Sequence, residues 1–238
     1  MSTVHIEAIQ FTHSVNNKDF DHCIRILPLF VQQKILRYVK QEDRDRALVG
    51  ALLGRTLASQ QSNLSVEEIE IDHTKYGKPY YINPSCLQFN ISHSGNWVVG
   101  VVDHRPIGID VECIKPIDFE IARRFFAATE WFQLLALEGQ EKLSRFYDIW
   151  TLKESYIKAM GKGLSIPLDS FFIQILPEKI KLFLFLSEMQ EFIEDQSWYF
   201  QQYSLDKAYR FSVCAAHNNF ADTVMIRSVE EFLNGLMK

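Results

Sequence analysis

The sequence predicts an α+β protein made of two similar subdomains, residues 1–105 and 106–238, packed as one unit with a ligand cleft between them. Three observations carry this reading. Each half runs strand, two helices and then strands, an order that lays helices on small sheets. Apolar residues make up 47% of the 238, among them 18 Phe, 9 Tyr and 4 Trp, enough for a substantial core. No low-complexity stretch or long Pro/Gly/Ser segment separates the halves, so they are joined tightly.

Taken in order, the opening segment 1–11 carries Glu7 where a secretory leader needs an unbroken apolar core. No apolar run approaches the ~18 residues of a membrane span. A cytoplasmic, monomeric protein that leaves the membrane alone is expected. Helices follow at 28–40, with Val31, Ile35, Tyr38 and Val39 on one side, and at 43–60, with Leu48, Ala51, Leu52 and Leu57 likewise. Strand signals come at 68–73 and 88–92. Segment 97–112 has two β-branched runs flanking Asp103-His104-Arg105-Pro106 and reads as a hairpin. Helices are expected at 118–137 and 141–161, the second capped by Gly161-Lys162-Gly163. The last third alternates as strands at 170–176, 180–186, 197–205 and 209–216. Cys23, Cys86, Cys113 and Cys214 lie far apart, which suits reduced packing thiols.

Lys plus Arg number 25 against 30 Asp plus Glu, a net charge of −5. That balance excludes a whole-surface grip on nucleic acid or anionic lipid, so an anionic ligand requires a local basic cluster. Lys34, Arg37, Lys40, Arg44 and Arg46 supply positive charge in the early helices.

Four short segments have the residue types of chemistry. In 107–112 the strand period puts Ile107, Ile109 and Val111 on one face and Asp110 with Glu112 on the other. Such neighbouring acids are either an exposed polar face or a site for a hard divalent cation. On the helix at 141–161, Ile149, Leu152, Tyr156 and Ala159 form an apolar seam, and Glu154 and Lys158 project opposite it as an i, i+4 pair. Asn90-Ile91-Ser92-His93-Ser94-Gly95 is a strand running into a small-residue turn, able to cradle phosphate oxygens or simply be solvated. Tyr76-Gly77-Lys78-Pro79 is a turn bearing a cation.

The order of these segments says more than any one of them. YGKPY (76–80), FNISHSG (89–95), PIGIDVE (106–112), RFF with TEW (124–131) and WTLKESYIKAMGKGL (150–164) together resemble the 4′-phosphopantetheinyl transferases of the surfactin-synthetase-activating (Sfp) type, over about 34–217. The resemblance implies pseudosymmetric subdomains with coenzyme A and Mg²⁺ between them, Mn²⁺ being able to substitute. It also implies transfer of the phosphopantetheine arm to a serine of a peptidyl or acyl carrier protein, for nonribosomal peptide synthesis of the antibiotic or lipopeptide kind. Position by position, Asp110, Glu112 and Glu154 match metal-binding acids. Lys158 joins them near the pyrophosphate, and Glu130 matches an acid that reaches the metal through water. Ser92 and His93 match holders of the coenzyme phosphates, Lys78 and Pro79 the turn at the adenine, and Lys34 with Arg46 the surroundings of the 3′-phosphate.

The chemistry is consistent with this assignment. A metal clamp with Lys153, Lys158 and His93 would stabilise charge built on the pyrophosphate, and Glu154 or Glu112 would take the serine proton, directly or through water. Ala47 and Val31 depart from the pattern, standing where a threonine and a lysine are expected. Phe125, Phe126 and Trp131, with Arg123 and Arg124, are candidates for carrier docking, core packing being expected of at least two of the aromatics. The alternatives are a Mg²⁺-dependent phosphohydrolase or nucleotidyltransferase acting on a nucleotide-like diphosphate, and a carrier-binding module without activity.

Overall fold

The computed structural model describes residues 4–237; Met1–Thr3, at the head of the segment read for a leader, and Lys238 lie outside the described residues. In chain order the strands are β1 (His5–Gln10), β2 (Glu70–His73), β3 (Pro79–Asn83), β4 (Gln88–Ser94), β5 (Trp97–Asp103) and β6 (Ile107–Cys113), then β7 (Phe171–Ile175), β8 (Ile180–Leu186), β9 (Glu191–Asp195), β10 (Tyr199–Tyr203), β11 (Tyr209–Ala215) and β12 (Met225–Ser228). The α-helices are α1 (Asn17–Cys23), α2 (Leu29–Leu36), α3 (Gln41–Gln60), α4 (Glu120–Phe125), α5 (Ala128–Leu135), α6 (Gly139–Met160) and α7 (Val229–Leu236).

Two sheets make the centre: a four-stranded one ordered β12-β1-β5-β4, and a three-stranded one ordered β10-β11-β6. β5 alternates as a fully buried central strand must. Val99 and Val101 face the second sheet, meeting Ile109, Val111, Phe211 and Val213, while Val98 and Val102 face α3. The layers are thus α3, sheet, sheet, α6, with α6 lying across β6 and β11. A small β2-β3 ribbon and the β7-β8-β9 sheet flank them.

The hairpin expected across 97–112 does not form. β5 has both edges taken, by β1 and by β4, so β6 cannot pair with it and joins β11 instead. The hairpin lies one strand earlier, where β4 and β5 pair around Gly95 (φ +55°) and Asn96. The helix expected at 118–137 is also two helices. Phe126 and Ala127 are extended (ψ 151° and 152°), and the Glu130 carboxylate accepts from Ala127 N at 3.0 Å to start α5. α6 ends as its glycines suggest, on Gly161 in the left-handed region (φ +70°).

The chain does not finish in its second half. β12 returns to pair in parallel with β1, and α7 packs against α1 and β1, burying Val229, Phe232 and Leu233 in the first core. Ser228 and Glu231 cap α7 reciprocally, at 3.1 and 2.9 Å.

Helix α6 sits unusually close to β6, at Gly108. A Cβ there would lie 2.1 Å from Ser155 O and 2.3 Å from Ala159 N. Gly108→Ala is therefore expected to push α6 off the sheet and cost at least about 1–3 kcal/mol of stability. The measurement is the urea midpoint at unchanged slope; a wild-type midpoint would mean that the helix moves away freely.

Candidate active site

Strand β4 divides the functional residues into two groups. Its period of two turns Phe89 and Ile91 toward α3, with His93 in the pocket on that side, and turns Asn90, Ser92 and Ser94 toward β6. One edge of β6 pairs with β11; the other is met by side chains. Asn90 Oδ1 accepts from Ile109 N at 3.0 Å, Ser92 Oγ from Val111 N at 3.4 Å and Ser94 Oγ from Cys113 N at 3.1 Å. The hydroxyls then donate onward, Ser92 to Asp110 Oδ1 at 2.9 Å and Ser94 to Glu112 Oε2 at 2.8 Å.

Lys158 closes this cluster from α6. Its Nζ donates to Asp110 Oδ1 at 2.5 Å and to Ser92 Oγ at 3.0 Å. The i, i+4 partner expected for Lys158, Glu154, is not its ion-pair partner; Asp110 is. Nor is Asp110 an exposed strand carboxylate. It is 3% exposed, because α6 covers this face of β6, and its Oδ2 is buried with no hydrogen-bond partner. Glu112 and Glu154 are half-buried beside it. Burial first, then the charge of Asp110, raises both above the ordinary carboxylate range, against the pull of Lys158. Among the described residues no three His, Cys, Asp or Glu side chains converge as a ready-made metal shell.

Beyond β4, toward α3, lies a pocket of about 310 Å³. Its walls are mainly apolar, with Phe30, Ile35, Phe89 and Ile91 facing the small residues Ala47 and Gly50. Lys34, Arg46, Pro79 and His93 all line it. Lys34 is exposed, whereas Arg46 is already engaged by Gly95 O at 3.0 Å and Asp43 Oδ1 at 2.5 Å. Val31 and Ala47 line the pocket without offering a donor. His93 is the link between the groups: partial withdrawal from water, then the charges of Arg46 and Lys158, holds its ring below the ordinary imidazole range.

Three expected residues lie elsewhere or face another way. Lys153 is fully buried, paired with Glu130 at 2.8 Å and donating to Leu168 O and Phe171 O at 2.8 and 2.7 Å, so it reaches neither pocket nor cluster. Glu130 is buried with it and holds Ile173 N at 2.8 Å, a structural pair in place of the expected metal-side acid. Lys78 is not among the residues that line the pocket, and its Nζ is spent on Ile107 O at 3.2 Å and Ala159 O at 2.8 Å, tying the turn before β3 to β6 and α6. Its burial lowers its pKa to about 8.

Of the docking candidates, Phe126 is buried and Trp131 packs on its cluster, while Phe125 is exposed with Arg124 over its ring at 5.3 Å. Sequence reasoning put Asn90 and Ser94 in a turn able to cradle phosphate and missed that, with Ser92, they satisfy the free edge of β6; their even spacing was the signal.

Comparison with known proteins agrees with this geometry. Residues 13–105 match the family described as 4′-phosphopantetheinyl transferase, N-terminal, and residues 106–214 the 4′-phosphopantetheinyl transferase superfamily. The chain is 41% identical over 202 residues to the 4′-phosphopantetheinyl transferase Sfp of Bacillus subtilis (strain 168), covering 85% of this chain and 88% of that one. It is 36% identical over 228 residues to the transferase ffp of Bacillus subtilis, covering 96% and 99%. To psf-1 of Bacillus pumilus it is 39% identical over 194 residues, covering 82% and 81%. Among the described residues no helix is long and apolar enough to cross a membrane. With the acid cluster on one side of β4 and the pocket on the other, and with relatives matched along nearly the whole chain, this protein belongs to the 4′-phosphopantetheinyl transferase superfamily.

Proposed function

We propose that the enzyme moves 4′-phosphopantetheine from coenzyme A to a serine of an apo carrier protein, peptidyl carrier domains of nonribosomal peptide synthetases being the first candidates. The observation that carries this reading is β4 itself. One strand presents a nucleotide-sized pocket on one side and an acid–lysine cluster on the other, so a donor lying across its end has its nucleotide in the first and its pyrophosphate at the second. The halves 1–105 and 106–238 then divide the labour, the first giving the pocket and the second the acids.

Mg²⁺ fits this cluster. The donors are hard carboxylate oxygens, Asp110 Oδ2 is buried without a partner, and Glu112 and Glu154 stand beside it with more negative charge than Lys158 alone balances. When bound, the ion supplies neutralisation of the charge that develops on the pyrophosphate oxygens. The chain's own residues do the rest. Lys158 and His93 hold phosphate oxygens. Glu154, whose carboxylate makes no hydrogen bond among the described residues, takes the proton from the serine hydroxyl; its raised pKa makes it a better acceptor than an ordinary carboxylate. The serine oxygen bonds to phosphorus as the pyrophosphate P–O bond breaks, and adenosine 3′,5′-bisphosphate leaves. Phe125, with Arg124 beside it, offers the exposed apolar and basic patch for the carrier.

The test is a mass shift. Incubation with coenzyme A, Mg²⁺ and an apo-peptidyl carrier domain is expected to add one phosphopantetheine to the carrier. Consumption of coenzyme A in the absence of any carrier, with no carrier modified, would assign a phosphohydrolase instead. His93→Ala is expected to raise KM for coenzyme A roughly tenfold with a smaller fall in kcat, because a phosphate contact made in ground and transition states alike is uniform binding. An unchanged KM with a collapsed kcat would move His93 into the proton-transfer chemistry.

A further inference from the structure

Lys78 joins the last turn of α6 to β6 while belonging to neither. Its Nζ donates to Ala159 O at 2.8 Å and to Ile107 O at 3.2 Å. The final carbonyls of a helix have no partner within it and lie at the negative end of its dipole, so a cation is well suited to hold them. In α6 one of them, Ile157 O, is taken by Gly161 N at 2.9 Å, and Lys78 takes Ala159 O. Ile107 O belongs to the same edge of β6 whose amides Asn90, Ser92 and Ser94 satisfy, so Lys78 completes that ladder at its start. Two glycines make the approach possible. Gly108 lets α6 down onto the strand, and at Gly161 a Cβ would lie 2.7 Å from Lys78 Cδ.

The residue before Ala159 is Lys158. Its ammonium has to meet Asp110 Oδ1 and Ser92 Oγ at once, from a helix end, where backbone frays most readily. A single ammonium, that of Lys78, binds the neighbour of Lys158 to the strand that carries Asp110. Lys78 itself stands in the turn of the ribbon whose His73 and Pro79, opposite each other in register, line the pocket. The pocket wall and the end of α6 are thereby fixed to one another.

We propose that Lys78 is a positioning residue for the transfer step, holding the last turn of α6 so that Lys158 keeps its place at Asp110 and Ser92; this rests on the reaction assigned above. Lys78 then acts on kcat through Lys158, and not on the binding of coenzyme A.

Lys78→Met keeps the stem beside Gly161 and removes both bonds. In the folded variant kcat is expected to fall roughly 10- to 100-fold, the scale of a small misplacement at a reacting centre. KM for coenzyme A, and the calorimetric Kd for adenosine 3′,5′-bisphosphate, should stay close to wild type. In a Lys158→Met background the same substitution should cost almost nothing more, because residues that act as a unit are not additive. A role in stability alone would not cancel in this way. Amide hydrogen exchange in the last turn of α6, which needs no turnover, should quicken by about tenfold in Lys78→Met. A raised KM or Kd at unchanged kcat would return Lys78 to the coenzyme and overturn the proposal, as would losses that multiply in the double variant or exchange at the wild-type rate. If the methionine variant does not fold, Lys78→Gln, which keeps a polar end but has a shorter reach, is read by the same criteria. Failure of wild type to modify any carrier would overturn the reaction assigned above, a result distinct from all of these.

Discussion

Replacing Asp110 by asparagine is expected to lower kcat/KM for coenzyme A by about 10²- to 10³-fold, the scale seen when a preorganised charge at a reacting centre is removed. The substitution keeps the side chain's volume in a place where α6 leaves no room to spare. It takes away the negative charge that pairs with Lys158 Nζ at 2.5 Å, leaving one neutral amide oxygen to accept, and puts an amide nitrogen in place of the other carboxylate oxygen. A cation site and the charge that anchors the ammonium are lost together. The fold should survive, because the Lys158 side chain is 27% exposed and its freed ammonium can rehydrate. The measurement is kcat/KM at saturating Mg²⁺ alongside the melting temperature. Retention of more than about a tenth of wild-type efficiency in a folded variant would show that Asp110 serves packing alone.

The largest stability effect is expected at Lys153. Lys153→Met removes one partner of a pair in which both side chains are fully buried, stranding the Glu130 carboxylate, at a cost of about 3–5 kcal/mol. Burial works against both charges, lowering the pKa of Lys153 and raising that of Glu130. The Lys153→Met, Glu130→Gln double variant should therefore recover part of the loss, although the amide still has to serve Ala127 N and Ile173 N. Denaturant unfolding of the single and double variants checks the coupling. For the folded fraction, KM for coenzyme A should stay at the wild-type value. A raised KM at full folding would return Lys153 to the coenzyme.

Lys153 and Glu154 show where the sequence was legible and where it stopped. Neighbours on a helix point about 100° apart, so a charged pair in one motif can face opposite ways. The apolar seam of Leu152, Tyr156 and Ala159 located the buried face of α6, but not that Lys153 would lie inside the core with an acid from α5 to meet it. On β6 the period of two sorted Ile107, Ile109 and Val111 from Asp110 and Glu112 correctly, since alternation is a property of the strand itself. What periodicity could not supply was the partner. The choice of β11 over β5 depended on which edges other strands had already filled, a fact about the whole sheet and not about residues 97–112. The burial of Asp110 has the same origin, in a glycine at 108 that lets a helix come close.

The return of β12 to the first sheet decides which backbone the molecule leaves open to other chains. Without β12, the backbone of β1 from Glu7 to Gln10 would present a bare row of amides and carbonyls beside the apolar side chains of Ile6, Ala8 and Ile9, the arrangement that recruits strands from other chains. A parallel strand of four residues, followed at once by a capped helix that buries Phe232, acts as a lid on that edge. Glu7, fully buried and bonded to Arg227, fastens the lid from inside. Nicking the segment before Met225 would therefore turn the protein toward intermolecular pairing and aggregation, with its acid cluster and its pocket still intact.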